Sequence, residues 1–250
     1  MDICSIVPVP QNYLMYKNSS RVMLLTHLVE KYPEYVEEAL KHPDTYKILD
    51  NSLIELGGAV SIGRVVKAAE KVKADEIILC DVFRDAKGTI ENAKKSIEWL
   101  KENNLLGKYK LQAVVHGTTL EDFKKCFNEL NAMPEIDVIA IPKVTSSYDW
   151  CPKSYRASLF DIFKNTDKEI HFLGSWYNLE EIYNIPREVW KKVRSVDTCL
   201  PSLYVIQNKH VWENREGTID LEKNYSELTE EKYDAVMNEL EQMVIKHQLY

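Results

Sequence analysis

The chain has 250 residues, of which 45% are hydrophobic and 28% charged, with a formal net charge of −7. That composition excludes an intrinsically disordered chain and suffices for one large buried sheet, while the acidic balance excludes indiscriminate nucleic-acid binding. No apolar run reaches the roughly 18–20 residues of a membrane span, and five scattered cysteines without a CxxC pair argue against a disulfide framework or structural zinc and for a reducing, cytoplasmic compartment.

In chain order, Met1-Asp2-Ile3-Cys4-Ser5 lacks the basic start of a secretion signal, and Ile3 to Val9 predicts a first strand closed by Pro8 and Pro10. Arg21 to Lys31 predicts a helix, with Val22, Leu25, Leu28 and Val29 on one face and Ser19 or Ser20 as cap. Pro33 to Lys41 is a second helical piece, Tyr46 to Asp50 a strand, and Gly57-Gly58 opens a helix to about Val72. Glu76 to Asp81 predicts a strand and Thr89 to Lys101 its helix; Lys110 to Val115 and Leu120 to Leu130 repeat the pair. Asp137 to Ile141 is the next strand, followed by helix at Tyr155 to Phe163, strand at Glu169 to Leu173, and a short helix at Leu179 to Tyr183. Val193 to Val196 is a seventh strand, Tyr204 to Ile206 an eighth strand or loop, and an amphipathic helix spans about 229–248.

Seven or eight such units with near-continuous apolar strands predict an α/β protein with an all-parallel sheet. The count fits a (β/α)8 TIM-type barrel at its typical length of about 250 residues, as a single domain over 1–250. A doubly wound open sheet is the competing fold, but no GxGxxG or P-loop follows any strand.

In a barrel the C-terminal strand ends converge on one cavity. Here they carry Asp50, Asp81, His116, Lys143, Gly174 and Asp197. Two carboxylates from different strands, one attacking carbon and one moving a proton, are the minimum kit for displacement at an anomeric centre, and Asp81 suits the donor edge of a purine. Taken singly, each has a structural reading: Asp50 as a turn cap, Asp81 paired with Arg84 or Lys87, His116 as a satisfied histidine, Asp197 as a cap with Thr198. Three aspartates at three strand ends favour a site. Lys143 alone supports a different chemistry, a Schiff-base lyase of the aldolase type. The aromatic and basic loop from Lys143 to Arg156, with Lys153, Arg194, Lys209, His210, Trp212 and Arg215, reads either as a phosphate-backbone face or as an ordinary polar loop.

Read in order, Ile48-Leu49-Asp50-Asn51-Ser52, Leu79-Cys80-Asp81-Val82-Phe83 with Asp85 and Thr89, Val115-His116-Gly117, Ala140-Ile141-Pro142-Lys143, His171-Phe172-Leu173-Gly174 and Val196-Asp197-Thr198-Cys199-Leu200-Pro201-Ser202 resemble the tRNA-guanine transglycosylase superfamily. They look closest to its compact branch, the phage and bacterial DNA transglycosylases that install 7-deazaguanines such as preQ0. The resemblance covers Ile3 to Ser202, and its last two blocks are the most specific.

The resemblance implies a (β/α)8 barrel in which Asp197 is the nucleophile on the sugar C1′ and Asp50 the general acid/base. Asp81 would recognise the guanine-like edge, His116 would stand where the tRNA enzymes carry a base-contacting glutamine, and Pro142, Lys143 and Gly174 would line the base pocket. Lys153, Arg156 and Arg194 are the expected nucleic-acid contacts, and Trp176, Tyr148 or Trp150 would fill the gap left by a flipped base. The cysteine spacing departs from the zinc site of the tRNA enzymes, so no metal and no cofactor is expected. The shorter C-terminal region favours DNA over tRNA, the alternative substrate. Expected partners are thus DNA and the 7-deazaguanine base, with a second copy of the chain left open and no membrane. A binding-only barrel is the remaining alternative.

Overall fold

The computed structural model of the chain describes residues 1–17, 19–151, 156–175, 179–183 and 185–249. Eight parallel strands form one sheet: β1 (Asp2–Ser5), β2 (Arg21–Leu25), β3 (Tyr46–Asp50), β4 (Glu76–Ile78), β5 (Lys110–Val114), β6 (Val138–Pro142), β7 (Glu169–Leu173) and β8 (Val193–Thr198). Their order is β1-β8-β7-β6-β5-β4-β3-β2, so chain neighbours pair and the sheet curls almost shut into a (β/α)8 TIM-type barrel. Across the seam between β1 and β2, Ser19 Oγ donates to the Ile3 carbonyl and Arg21 pairs with Asp2.

The helices between strands are α1 (Thr26–Lys31), α2 (Pro33–Lys41), α3 (Leu53–Leu56), α4 (Ile62–Val72), α5 (Ala86–Glu102), α6 (Leu120–Asn131), α7 (Phe160–Phe163), α8 (Glu180–Tyr183) and α9 (Arg187–Lys192), with α10 (Leu200–Gln207) and α11 (Glu230–Leu249) after β8. Their apolar stripes bury against the outward strand residues, such as Ile77, Ile139 and Ile170. The best-capped members are α5, where the Asp85 carboxylate accepts from Gly88 N–H, and α6, where Thr119 accepts from Asp122 N–H.

Several boundaries differ from the sequence expectation for physical reasons. The predicted helix over Arg21 to Lys31 is a strand followed by a helix. Val22, Leu25, Leu28 and Val29 mimic helical spacing, but Val22 to Leu25 is a continuous apolar run, which a strand buried on both faces demands. This segment supplies the eighth strand. Tyr204 to Ile206 instead lies in α10, whose first turn holds Pro201, a residue preorganised for that position. Gly57 does not open a helix: it ends α3 in the left-handed region (φ 72°), and α4 begins after Ser61.

The barrel interior is layered. At the N-terminal strand ends, Arg194 bonds Glu76 at 2.6 Å, Glu169 at 2.7 Å and Gln112 at 3.2 Å, and the Tyr46 hydroxyl donates to Glu76 at 2.8 Å. A register irregularity turns Arg194 inward: Ile170 pairs with Val193 but His171 with Ser195, leaving one extra residue in β8. Above it lies an apolar layer of Cys4, Met23, Ile48, Ile78, Val114 and Ala140. The C-terminal ends above that layer are polar and open onto a cavity.

Candidate active site

Asp50 at the end of β3, Asp81 after β4 and Asp197 near the end of β8 line one cavity of about 360 Å³. His116, Pro142, Lys143 and Gly174 line it too, so every residue expected to bind a base meets both expected catalytic acids there. Ile6, Met23, Leu25, Leu53, Ile54, Val114 and Leu173 supply apolar walls, the usual mix of a small-molecule site with a few convergent polar groups.

Asp197 is 5% exposed and well fixed. Its Oδ1 accepts from Gly174 N–H at 2.6 Å and lies 2.9 Å from His171 Nε2, while His171 Nδ1 lies 2.8 Å from Ser195 Oγ. Strand alternation explains the grouping: Ser195 and Asp197 are two residues apart on one face of β8, and His171 sits beside Ser195 in register. Burial pushes the His171 imidazole below its ordinary protonation range, against the pull of the Asp197 charge. Among the described residues Asp197 caps no helix: the N-cap of α10 is Cys199, and Thr198 Oγ1 accepts from Leu200 N–H.

Asp81 is held by both oxygens. Asn51 Nδ2 donates to Oδ1 at 2.7 Å, and His116 Nε2 lies 2.6 Å from Oδ2. His116 Nδ1 accepts from Arg84 N–H at 3.3 Å, which assigns the ring proton to Nε2 and directs it at Asp81. Arg84 itself is in the left-handed region (φ 63°), an uncommon conformation for a residue with a Cβ. Among the described residues Asp81 therefore pairs with a histidine and an amide, and not with Arg84 or Lys87.

Asp50 accepts from Ser52 N–H at 2.7 Å, so it does brace the turn that follows, and it also faces the cavity. Burial pushes its carboxyl well above the ordinary value of 3.8; Glu55, Asp81 and Asp197 reinforce the shift, and the Ser52 bond opposes it. Glu55, an exposed residue on α3 at the cavity mouth, is shifted upward as well, chiefly because the cavity wall desolvates its carboxyl. Lys143 passes directly over Gly174: a Cβ added there would stand 2.9 Å from Lys143 Cδ, and Gly174 is left-handed (φ 69°). Only glycine meets both conditions at no cost.

The expected nucleic-acid contacts fare differently. Arg156 is fully buried and not a surface contact: it binds Glu181 with two nitrogens at 2.7 Å each and donates to the carbonyls of Ile141, Leu173 and Gly174. Arg194 is a second correction, since it plugs the opposite end of the barrel. Lys153 and Trp176 lie outside the described residues. Tyr148 and Trp150 stack on each other at 5.4 Å, and Trp150 donates to the Thr118 carbonyl. His210 and Trp212 stack on each other at 4.6 Å, His210 pairs with Glu239 on α11, and neither lines the cavity. The sequence left these residues as either a phosphate-backbone face or an ordinary polar loop, and neither the buried Arg156 nor the inward-turned Arg194 belongs to such a face.

The cavity rim carries residues that sequence reasoning passed over. Phe83 is 44% exposed, packs edge-on to His116 and lies under the Arg84 guanidinium, which also covers Tyr148. Asn51 and His171 were legible only as parts of motifs, and Glu55 stood in none of them, because their roles depend on partners from other parts of the chain. Among the described residues no cluster of three or more His, Cys, Asp or Glu is arranged to hold a metal ion, and no helix is long and apolar enough to cross a membrane. Neither protein-family models nor curated proteins give a match to the chain.

Proposed function

We propose that the chain is a nucleic-acid base transglycosylase that exchanges guanine for a 7-deazaguanine in DNA, through a covalent glycosyl–aspartate intermediate. The observation that carries this reading is the meeting of Asp50, Asp81 and Asp197, from three strands, around one cavity of about 360 Å³. Their surroundings differ in the sense the chemistry needs. Burial makes Asp50 a proton holder, whereas Asp197 keeps one oxygen bonded by Gly174 and His171 and accepts no bond on Oδ2 among the described residues.

Asp197 attacks C1′ as the bond to guanine breaks, and the Asp50 proton goes to the departing base. The incoming deazaguanine then displaces Asp197 and returns a proton to Asp50. Two displacements retain the anomeric configuration and require no nucleotide hydrolysis. Asp81, held by Asn51 and His116, presents fixed acceptors to the N–H edge of the base. A base must leave a duplex to reach such a cavity, and the exposed Phe83, with Arg84 and Tyr148, offers stacking surface and positive charge at the rim.

Purified protein incubated with labelled guanine should exchange label into DNA, and wild type should form a denaturation-resistant DNA adduct that Asp197→Ala lacks. Exchange into tRNA alone would reassign the polynucleotide. An Asp197→Ala variant that exchanges as well as wild type would defeat the mechanism.

A further inference from the structure

We infer that His171, tuned by Ser195, is a positioning residue that fixes which oxygen of Asp197 attacks and steadies the carboxylate when it leaves. The inference rests on the transglycosylase reading above and deepens it at the same site. Its basis is a buried chain running inward from the cavity: Asp197 Oδ1 to His171 Nε2 at 2.9 Å, then His171 Nδ1 to Ser195 Oγ at 2.8 Å. His171 and Ser195 have no exposed surface and neither lines the cavity, so neither can touch a substrate. Their effect must pass through Asp197.

Hydrogen-bond logic fixes the direction of the chain. An ionised carboxylate only accepts, so His171 must present Nε2–H to it. Nδ1 is then an acceptor, and Ser195 is the donor that satisfies it. Burial favours the neutral ring with this single proton. Gly174 N–H donates to the same oxygen at 2.6 Å, so Oδ1 carries two donors and Oδ2 none among the described residues. Oδ2 is therefore the nucleophile.

In the first displacement a bond forms between Oδ2 and C1′. The C1′–N bond breaks, its electron pair leaves with the base, and the base takes the Asp50 proton. Oδ1 becomes the ester carbonyl, polarised by both donors. In the second displacement the incoming base nitrogen attacks C1′ and gives its proton to Asp50. The C1′–Oδ2 bond breaks, and its electron pair returns to a carboxylate whose charge Gly174 and His171 receive. Donors placed where charge develops in this way act on the rate rather than on binding.

The test uses the full chain as wild type, His171→Leu, His171→Gln and Ser195→Ala, with a guanine-containing DNA and preQ0. It measures kcat, KM for the base, the pH profile of adduct formation and thermal stability. The groups facing Asp197 are Asp50 on β3, Asp81 after β4, Glu55 on α3, Lys143 and Cys199 in loops, Cys4 on β1 and His171 on β7; all but His171 are unchanged in these variants.

His171→Leu should lose about 10²–10³-fold in kcat, the usual loss for one such donor, with KM for the base little changed and the acid limb moved to higher pH. His171→Gln, which can place an N–H near the same point, should recover at least about tenfold of that loss, and Ser195→Ala should lose about tenfold. Wild-type kcat and an unmoved acid limb in a folded His171→Leu overturn the positioning role while leaving the transglycosylase reading intact. If His171→Leu does not fold, Ser195→Ala decides: a lowered kcat at constant KM supports the role and a wild-type kcat overturns it. Wild-type protein that neither exchanges base nor forms an adduct overturns the underlying reading itself.

Discussion

Burial of the Asp50 carboxyl, reinforced by Glu55, Asp81 and Asp197, raises its protonation range far above that of an exposed aspartate. The folded state therefore holds a proton that the unfolded chain releases at lower pH. Between those two values the native state binds more protons, so stability falls as pH rises through the window that starts near 3.8. Asp50→Asn removes this cost: its melting temperature at neutral pH should exceed that of wild type, by about 2–4 °C for each kcal/mol relieved, and base exchange should be lost. A calorimetric pH series checks the sign; an Asp50→Asn protein less stable than wild type at pH 8 would show that the carboxylate form is the stabilising one. At this scale the sequence announced the acids by type and by place at strand ends. It did not disclose which would be buried, because burial depends on loops from other parts of the chain.

The loops after β6 and β7 are built as one element by Arg156. Its guanidinium gathers the carbonyls of Ile141, Leu173 and Gly174, pairs with Glu181 on α8, and lies 4.7 Å above the Phe172 ring. Pro142, Lys143 and Gly174 stand at the ends of those same strands, so the staple also sets one wall of the cavity. Arg156→Met removes the guanidinium from Glu181 and from three carbonyls, and should cost about 3–5 kcal/mol in denaturant unfolding. Arg156→Lys restores charge but not the planar fork, and should recover only part of it. Gly174→Ala is a local counterpart: it adds left-handed strain and presses on Lys143, so KM for the base should rise more than overall stability falls. Isothermal titration with the base, set beside the melting curve, separates the two effects. Arg156 looked like a surface cation from sequence because its Glu181 partner lies in another helix and its carbonyl partners are not encoded by side chains.

Across the molecule, the two ends of the barrel divide their work. The N-terminal end is closed by Arg194 with Glu76, Glu169 and Gln112; burial works against the Arg194 charge, but Glu76 and Glu169 outweigh it and hold the guanidinium protonated. The C-terminal end holds the cavity, as barrel enzymes generally arrange it. Arg194→Met leaves the fully buried Glu76 without its cation and with only the Tyr46 hydroxyl as donor among the described residues, and should cost about 3–5 kcal/mol of stability. Below the lowered melting temperature, KM for the base should stay near wild type, because an apolar layer separates that plug from the cavity. A Tm measured beside steady-state exchange tests this division. A large change in KM without loss of stability would mean that the ends are coupled.

Local pattern was enough to determine the alternation of apolar strands with amphipathic helices, and hence the parallel barrel, because strand burial and helix amphipathicity are written in residues two or three to four positions apart. Strand ends bearing Asp50, Asp81, His116, Lys143, Gly174 and Asp197 were legible for the same reason. Segments where one apolar run satisfies either period, such as Val22 to Leu25 and Leu203 to Ile206, were decided only by packing. Tertiary structure alone decided the partners: His171 and Ser195 beneath Asp197, His116 and Asn51 around Asp81, Glu181 on Arg156, and Glu76 on Arg194. Those pairings join residues 24 to 118 positions apart, and a hydrogen bond is fixed by distance and direction in space, which closure of the barrel supplies and sequence spacing does not.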